Sequence, residues 1–309
     1  MKVYTDLNDF KVRKPVVTIG TFDGVHLGHQ KVIAQLKNFA SQHDGETVIF
    51  TFHTHPRLVT SPGETNLRLL TTLSEKIALL EKFGIDHLII YTFNHEFSQL
   101  TYSEFVEKIL VNKLKTHCLV IGYDHKFGKN REGGFEYLKQ CAEKHQFLIE
   151  RLDALEVEEE SVSSTKIRNA LQAGEIEKAS QFLGYPFTLY GTVVKGKQLG
   201  RTMGFPTANI EASDKNKIIP GYGVYAVKVS VNGGKYNGML NIGTRPTFNN
   251  NADNRSIEVN IFDFDDDIYG KPITLEFLGK IRDEQKFAGI AELAGQLARD
   301  REKALQILK

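Results

Sequence analysis

Over the first half of the chain, short apolar runs alternate with longer segments of helical period. Runs at residues 16–19, 47–52, 87–91, 117–121 and 147–152 have the length and β-branched or aromatic content of buried strands. Between them, Val32, Ile33, Leu36 and Phe39 recur at helical spacing. Thr72-x-x-Glu75 and Thr101-x-x-Glu104 have the form of capping boxes ahead of apolar-periodic segments. This alternation predicts a doubly wound α/β domain with a mainly parallel sheet, whose ligands collect beyond the carboxyl ends of the strands.

The second half changes period. Residues 165–171 and 175–183 read as two helices separated by Ala173-Gly174, and the second stops at Gly184-Tyr185-Pro186. That stop predicts a domain boundary, with one domain at residues 1–184 and another at 185–309. Beyond it, strand-like runs at 188–194, 223–231, 236–242, 256–262 and 273–281 are joined by turns such as Asn232-Gly233-Gly234. They predict a small antiparallel β-barrel, a closure that removes exposed sheet edges. The closing segment 286–308 sets Phe287, Ile290, Leu293 and Leu297 on one helical face, which predicts a terminal helix packed on the barrel.

Composition adds mainly exclusions. With 309 residues, 41% hydrophobic and 25% charged, the chain has material for two cores. A formal net charge of +1 gives no footprint of a nucleic-acid partner. Cys118 and Cys141 form no C-x-x-C pair and read as reduced packing thiols. The polar first ten residues lack the apolar core of a signal peptide, and no run is long enough to span a bilayer. A cytoplasmic protein with no membrane partner is expected; its oligomeric state is left open.

Candidate chemistry sits at the predicted strand ends. Gly20-Thr21-Phe22-Asp23-Gly24-Val25-His26-Leu27-Gly28-His29 joins the first strand to the first helix. Glycines there allow tight turning, and the N–H groups at a helix start favour phosphate oxygens. Taken alone, the two histidines fit either a phosphate site or simple helix capping; zinc would need a third ligand that the neighbouring sequence does not offer. Loops at 51–57 and 122–131 follow the second and fourth strands, at the same sheet edge. Ser163-Ser164-Thr165-Lys166-Ile167-Arg168 offers hydroxyls and cations at a helix start, suited to a polyphosphate or to an ordinary N-cap.

In the second half, Gly191 to Lys197 fits G-x-x-x-x-G-K, but Gln198 stands where a P-loop needs Ser or Thr, and no helical pattern follows. Thr207 and Asn209 place oxygen ligands beside a cationic, glycine-rich loop, as a magnesium–nucleotide complex requires; read plainly, the same glycines and Pro206 make barrel turns.

Several of these strings together resemble the bacterial bifunctional riboflavin kinase/FAD synthetase family. The ten residues at 20–29 match its nucleotidyltransferase motif. His55-Pro56, Gly122-x-Asp124-x-x-Phe127-Gly128 and Ser163-Ser164-Thr165-x-Ile167-Arg168 match three further elements. Gly200-Arg201-x-x-Gly204-Phe205-Pro206-Thr207-Ala208-Asn209 matches the riboflavin kinase motif. The stretch 241–248, Glu258 with 261–264, and 278–282 agree with the family as well, so the resemblance spans essentially the whole chain.

The resemblance implies two ATP-dependent reactions. The barrel would phosphorylate riboflavin to FMN, releasing ADP, and the α/β domain would transfer an adenylyl group from ATP to FMN, giving FAD and pyrophosphate. His26 and His29 would stabilise charge at the α-phosphate and the leaving pyrophosphate. Gly20, Phe22, Gly28, Ser163, Ser164, Thr165 and Arg168 would bind ATP in the first domain, and Gly196, Lys197, Gly204 and Pro206 in the second. Flavin would contact His55, Pro56, Asp124, Phe127, Asn130, Arg245 and Arg282. Thr207 and Asn209 would organise Mg2+ or another divalent cation, with Glu258 orienting or deprotonating the attacking hydroxyl. Two positions depart from the family pattern: His125 replaces an aromatic residue, and Asn260 stands where many relatives have His. A chain with one active module and a flavin-responsive RNA regulator are the competing readings, the latter opposed by the near-neutral charge.

Overall fold

A computed structural model describes residues 1–60, 67–122, 127–129, 132–152, 162–196, 204–244 and 255–309. The chain divides into two compact units, Met1–Ser163 and Ser164–Lys309.

The first unit is a parallel sheet flanked by helices. Its strands are β1 (Lys2–Tyr4), β2 (Pro15–Ile19), β3 (Glu46–His53), β4 (His87–Thr92), β5 (Cys118–Ile121) and β6 (Leu148–Arg151), in the order β1-β4-β3-β2-β5-β6. From β2 the chain steps outward through β3 and β4, then returns to the other side of β2 to form β5 and β6. Strand order therefore reverses between β2 and β5, where doubly wound sheets bind ligands. Only the three-residue edge strand β1 lacked a hydrophobic run long enough to predict it.

The inner strands are apolar on both faces because both are covered. Val16, Ile49, Leu88 and Val120 share one core with Ile33, Leu36 and Ala40 of α1 (Leu27–Gln42) and, beyond α2 (Pro56–Thr60), Leu80 of α3 (Leu73–Lys82). Val17, Val48, Ile89 and Leu119 point the other way. There they meet Val106, Ile109 and Leu110, and Leu138, Cys141 and Ala142 of α6 (Phe135–His145). Both predicted capping boxes form, at Thr72–Glu75 for α3 and at Thr101–Glu104 for α5 (Tyr102–Phe105), which follows the single-turn α4 (His95–Ser98). Beyond α5 the helix continues with π geometry over Val106–Lys113. Cys118 and Cys141 are free and buried, and desolvation pushes the Cys118 thiol up to about 12, so it stays protonated.

The second unit opens with α7 (Ser164–Ala173) and α8 (Ile176–Leu183) and closes a barrel of β7 (Thr188–Val194), β8 (Ala208–Ala212), β9 (Gly223–Val231), β10 (Gly234–Thr244), β11 (Arg255–Ile261) and β12 (Pro272–Arg282). The closed order is β10-β11-β8-β7-β12-β9. β8, absent from the predicted strands, starts just past Pro206, in a stretch too polar for a strand pattern. Hydrogen bonds join the two helices to this unit: Gly221 N donates to the Leu171 carbonyl at 2.8 Å and Lys280 N to Glu177 Oε1 at 3.2 Å.

Helix α9 (Ile290–Ile307) packs on the barrel through Leu297, Ala304 and Ile307, against Val224, Ala226, Met239 and Ile281. Ile290 does not join this face; it is 71% exposed. The packed stripe instead passes through Asp300, which is 1% exposed and would be discarded by any purely hydrophobic reading. Its carboxylate accepts from Arg282 Nε at 3.0 and 2.9 Å and from Gln296 Nε2 at 2.8 Å, with Arg282 Nη2 at 2.8 Å completing the ion pair. A buried carboxylate is tolerated when its lone pairs are filled in this way.

Candidate functional site

In the first unit the site is built on the turn between β2 and α1. Phe22, Gly24 and Val25 have φ values of 47°, 85° and 36°. Left-handed backbone at two non-glycine residues costs roughly 1–3 kcal/mol each and persists only where the surroundings enforce it. The surroundings here are the start of α3. Asp23, 2% exposed, accepts from Leu70 N at 3.1 Å, Thr71 N at 3.0 Å and Thr71 Oγ1 at 3.2 Å, and Gly24 N donates to Thr71 Oγ1 at 3.0 Å. Lys76 Nζ donates to the Thr21 carbonyl at 2.7 Å and lies 3.4 Å from Thr51 Oγ1, which donates to the same carbonyl at 3.1 Å.

His26 is the N-cap residue of α1, yet its side chain makes no capping hydrogen bond and the first turn holds no acidic residue. Capping is thus not what the histidine supplies, and no carboxylate of the helix's own first turn offsets its positive end. The His26 and His29 rings stack at 3.7 Å between centroids and 18° between planes, and Phe22 lies 4.9 Å from the His29 ring. Burial, then His26, then Lys76 hold the His29 imidazole well below its usual value, so it is neutral near pH 7. Its Nδ1 is buried without a hydrogen-bond partner among the described residues. A Cβ on Gly28 would lie 3.3 Å from the His26 ring and 3.7 Å from the Val162 carbonyl, so the chain leading to Ser163 runs beside this helix start.

Burial also brings Lys76 down to about 8 from 10.5, a penalty on the ammonium on the order of 3 kcal/mol. Sequence reading passed over Asp23, Thr71 and Lys76. The available signal was a lysine set among the apolar positions Leu73, Ile77 and Leu80 of an amphipathic helix. Of a cluster of half-buried aromatics, only Phe52 lies in a loop that sequence reading singled out. Phe52, Tyr91, Phe93 and Phe97 stand at and just beyond the carboxyl ends of β3 and β4, with ring centroids 4.7–5.8 Å apart. His55 and Pro56 follow β3 at this edge. Phe127 is buried, 5.8 Å from the Phe105 ring, and belongs to the core beneath the edge. Ser164, Thr165 and Arg168 lie in the first turns of α7, Arg168 buried.

In the second unit, strand register sets one rung across the barrel wall. Arg282 of β12 pairs with Val224, Val224 with Asn241, Asn241 with Glu258, Glu258 with Asn209, and Asn209 with Val194. Cross-strand partners share a face, so Asn209 and Glu258 are immediate neighbours, with Arg282 on the same rung. Thr207 Oγ1 donates to Glu258 Oε2 at 3.5 Å, and Asn260 Nδ2 holds the Pro206 carbonyl at 2.7 Å. Gly196 lies so close to the Asn209 amide that any Cβ would overlap it. Gly204 has φ 77° and faces open space. Beside Pro206 and Thr207 opens a cavity of about 420 Å³, also lined by Val193, Ala208, Phe264 and Tyr269. Lys197, Asp124, His125, Asn130 and Arg245 lie outside the described residues. Among the described residues no group of three or more His, Cys, Asp or Glu is placed to hold a metal ion.

Comparisons agree with both halves. Residues 10–166 match the family model for FAD synthetase, and residues 183–308 the model for riboflavin kinase. The bifunctional riboflavin kinase/FMN adenylyltransferase of Bacillus subtilis is 38% identical over 296 residues, covering 95% of this chain and 92% of that protein. The one from Listeria monocytogenes is 40% identical over 297 residues, covering 96% and 91%. A solved structure from Streptococcus pneumoniae, described as a macrolide-efflux protein, matches with a TM-score of 0.86 at 30% identity over 97% of both chains. Among the described residues of the present chain, no helix is long and apolar enough to cross a membrane. Two family models in tandem, with relatives aligned along almost their full length, leave one assignment: the chain belongs to the bifunctional riboflavin kinase/FMN adenylyltransferase family.

Proposed function

We propose that the enzyme carries out its two reactions at separate centres, riboflavin phosphorylation on the barrel rung around Glu258 and FMN adenylylation at the turn leading into α1. The observation that carries this reading is that the turn bearing His26 and His29 and the barrel rung bearing Glu258 and Asn209 lie in different compact units. The working division is residues 1–184 for adenylyl transfer and 185–309 for the kinase. On this division α7 goes with adenylyl transfer, Ser164, Thr165 and Arg168 being assigned as phosphate ligands by the family resemblance, while by compactness the helix belongs to the second unit.

On the barrel, Glu258 orients the terminal ribityl hydroxyl of riboflavin and accepts its proton as the oxygen attacks the γ-phosphorus of ATP; the bond to ADP breaks. Thr207 and Asn209 offer neutral oxygens beside a carboxylate, a donor set that fits Mg2+, which keeps several waters and takes few protein ligands. The cation, when bound, neutralises charge on the phosphates. Gly196, Lys197, Gly204 and Pro206 frame the nucleotide, and the neighbouring cavity has room for its nucleoside end. We assign Arg245 and Arg282 to the flavin side, Arg282 with its guanidinium already held by Asp300. Asn260 replaces a titratable residue, but its amide bonds the Pro206 carbonyl and so fixes the strand start that carries Thr207. Gly196→Ala would displace the Asn209 amide from the rung, and FMN formation is expected to fall about 10²-fold while FAD formation from FMN persists. Equal product formation by this variant and the wild type would contradict it.

In the first unit, a phosphate oxygen of FMN attacks the α-phosphorus of ATP and pyrophosphate leaves, with no covalent enzyme intermediate. Gly20, Phe22 and Gly28 bring backbone close to the polyphosphate, while His26 and His29 donate hydrogen bonds where charge develops. His29, neutral before ATP arrives, acts through an N–H rather than as a resident cation. Phe52, Tyr91, Phe93 and Phe97, with His55 and Pro56, supply a surface for an isoalloxazine ring. Asp124 and Asn130 are assigned to the flavin side by the family resemblance; Phe127, buried in the core beneath the edge, supports that side from below. We place the enzyme in the cytoplasm, where riboflavin, FMN and ATP are its small-molecule partners.

The test is incubation of the purified protein with riboflavin, ATP and magnesium, followed by separation of flavins. FMN appearing first and FAD after it is expected, with both lost on chelation and restored by magnesium. FMN without FAD would remove the adenylyltransferase assignment, and FAD from supplied FMN but none from riboflavin would remove the kinase.

A further inference from the structure

We propose that Lys76 is a positioning residue for adenylyl transfer: from α3 its ammonium holds the Thr21 carbonyl, and with it the left-handed turn through Phe22–Val25, in the form that presents the start of α1 to a polyphosphate. The proposal rests on assigning adenylyl transfer to this turn.

Packing does not explain the residue. Lys76 is 7% exposed on a helix whose neighbouring inward positions are Leu73, Ile77 and Leu80, and a methionine would fill the same space without desolvating a charge. What the ammonium does is specific. It and the Thr51 hydroxyl converge on one oxygen, the Thr21 carbonyl, while Asp23 and Gly24 are fixed by Leu70 and Thr71. All of these bonds come from strand β3 or the start of α3, so the segment Leu70–Lys76 grips the turn from below. Residues with positive φ at Phe22 and Val25 need such over-determination to keep one conformation. The charge also lies under an anion site, where it favours phosphate. The groups acting on it are Asp23, which favours the ammonium, and the His29 ring, which the same ammonium helps keep neutral.

The experiment measures FAD formation from FMN and ATP by full-length wild-type, Lys76→Met and His29→Ala proteins between about pH 6.5 and 9.5. FMN formation from riboflavin by the same preparations reports intact folding. Lys76→Met is expected to lose at least about 30-fold in kcat/KM for ATP with kinase activity unchanged, since a small misplacement of a phosphate-binding turn suffices. Wild-type kcat/KM for ATP should decline as pH rises through about 8, where Lys76 loses its proton, and the Lys76→Met profile should be flat there. A methionine variant within threefold of wild type, or one that keeps the alkaline decline, overturns the proposal. Should that variant lose the kinase as well, the wild-type profile decides: no decline near pH 8 overturns it. Full FAD formation by His29→Ala would instead remove the site assignment beneath it.

Discussion

Glu258→Ala is expected to abolish FMN formation from riboflavin while leaving conversion of FMN to FAD measurable. The loss should be about 10²–10⁴-fold, the range for removing a positioned general base. The expectation comes from strand register. Glu258 and Asn209 are direct cross-strand partners, and the Thr207 hydroxyl reaches the same carboxylate at 3.5 Å. A hydroxyl held there meets the carboxylate and the phosphate-binding residues together, which is the alignment in-line phosphoryl transfer needs. Truncation leaves a half-buried strand position without a side chain beyond Cβ, a change of modest structural cost, so a melting temperature close to wild type should accompany the loss. Glu258→Gln separates the two contributions. Activity restored by glutamine would mean that orientation suffices, and activity as low as that of alanine would mean that the proton is taken by this group.

His29→Ala should do the converse: FAD formation falls about 10²–10³-fold, and riboflavin phosphorylation is spared. The magnitude is that of removing one preorganised donor aimed at developing charge. Its sign with pH follows from the neutral ring. Because burial, His26 and Lys76 depress protonation of His29, the ring stays neutral, with one N–H to donate, below the usual histidine range. Wild-type kcat/KM for ATP should therefore show no limb at 6.5 from this residue. A limb near 6.5 that disappears in His29→Ala would show that the ring titrates normally and contradict the stacked, desolvated arrangement.

Much of the fold was legible because its patterns are local. Apolar runs of four to six residues separated by helices specify a two-sided parallel sheet, and the two capping boxes marked the starts of α3 and α5 to the residue. The barrel strands were equally visible from period 2, apart from β8, whose sequence is governed by what it presents and not by what it buries. The terminal helix was read correctly as an element and, through Leu297, in part of its packed face. Spacing placed Ile290 inward, whereas the packed stripe runs through Asp300, made compatible with burial by Arg282 from a distant strand. The same limit hid Lys76 and Asp23. Their roles depend on partners 55 and 48 residues away in sequence, Thr21 and Thr71 respectively, which periodicity does not report. Candidate ligands at strand ends could be named from the sequence, but the side chains that hold those ligands in place had to be seen.

The claim that two independent centres share one chain is tested most directly by crossing the two variants. Glu258→Ala and His29→Ala are each supplied with riboflavin, ATP and magnesium, separately and mixed, and FAD is measured. Neither variant alone should make FAD, the first stopping at riboflavin and the second at FMN, while the mixture should make it because FMN released by one is adenylylated by the other. No FAD from the mixture, with each folded variant lacking both activities, would contradict separate centres.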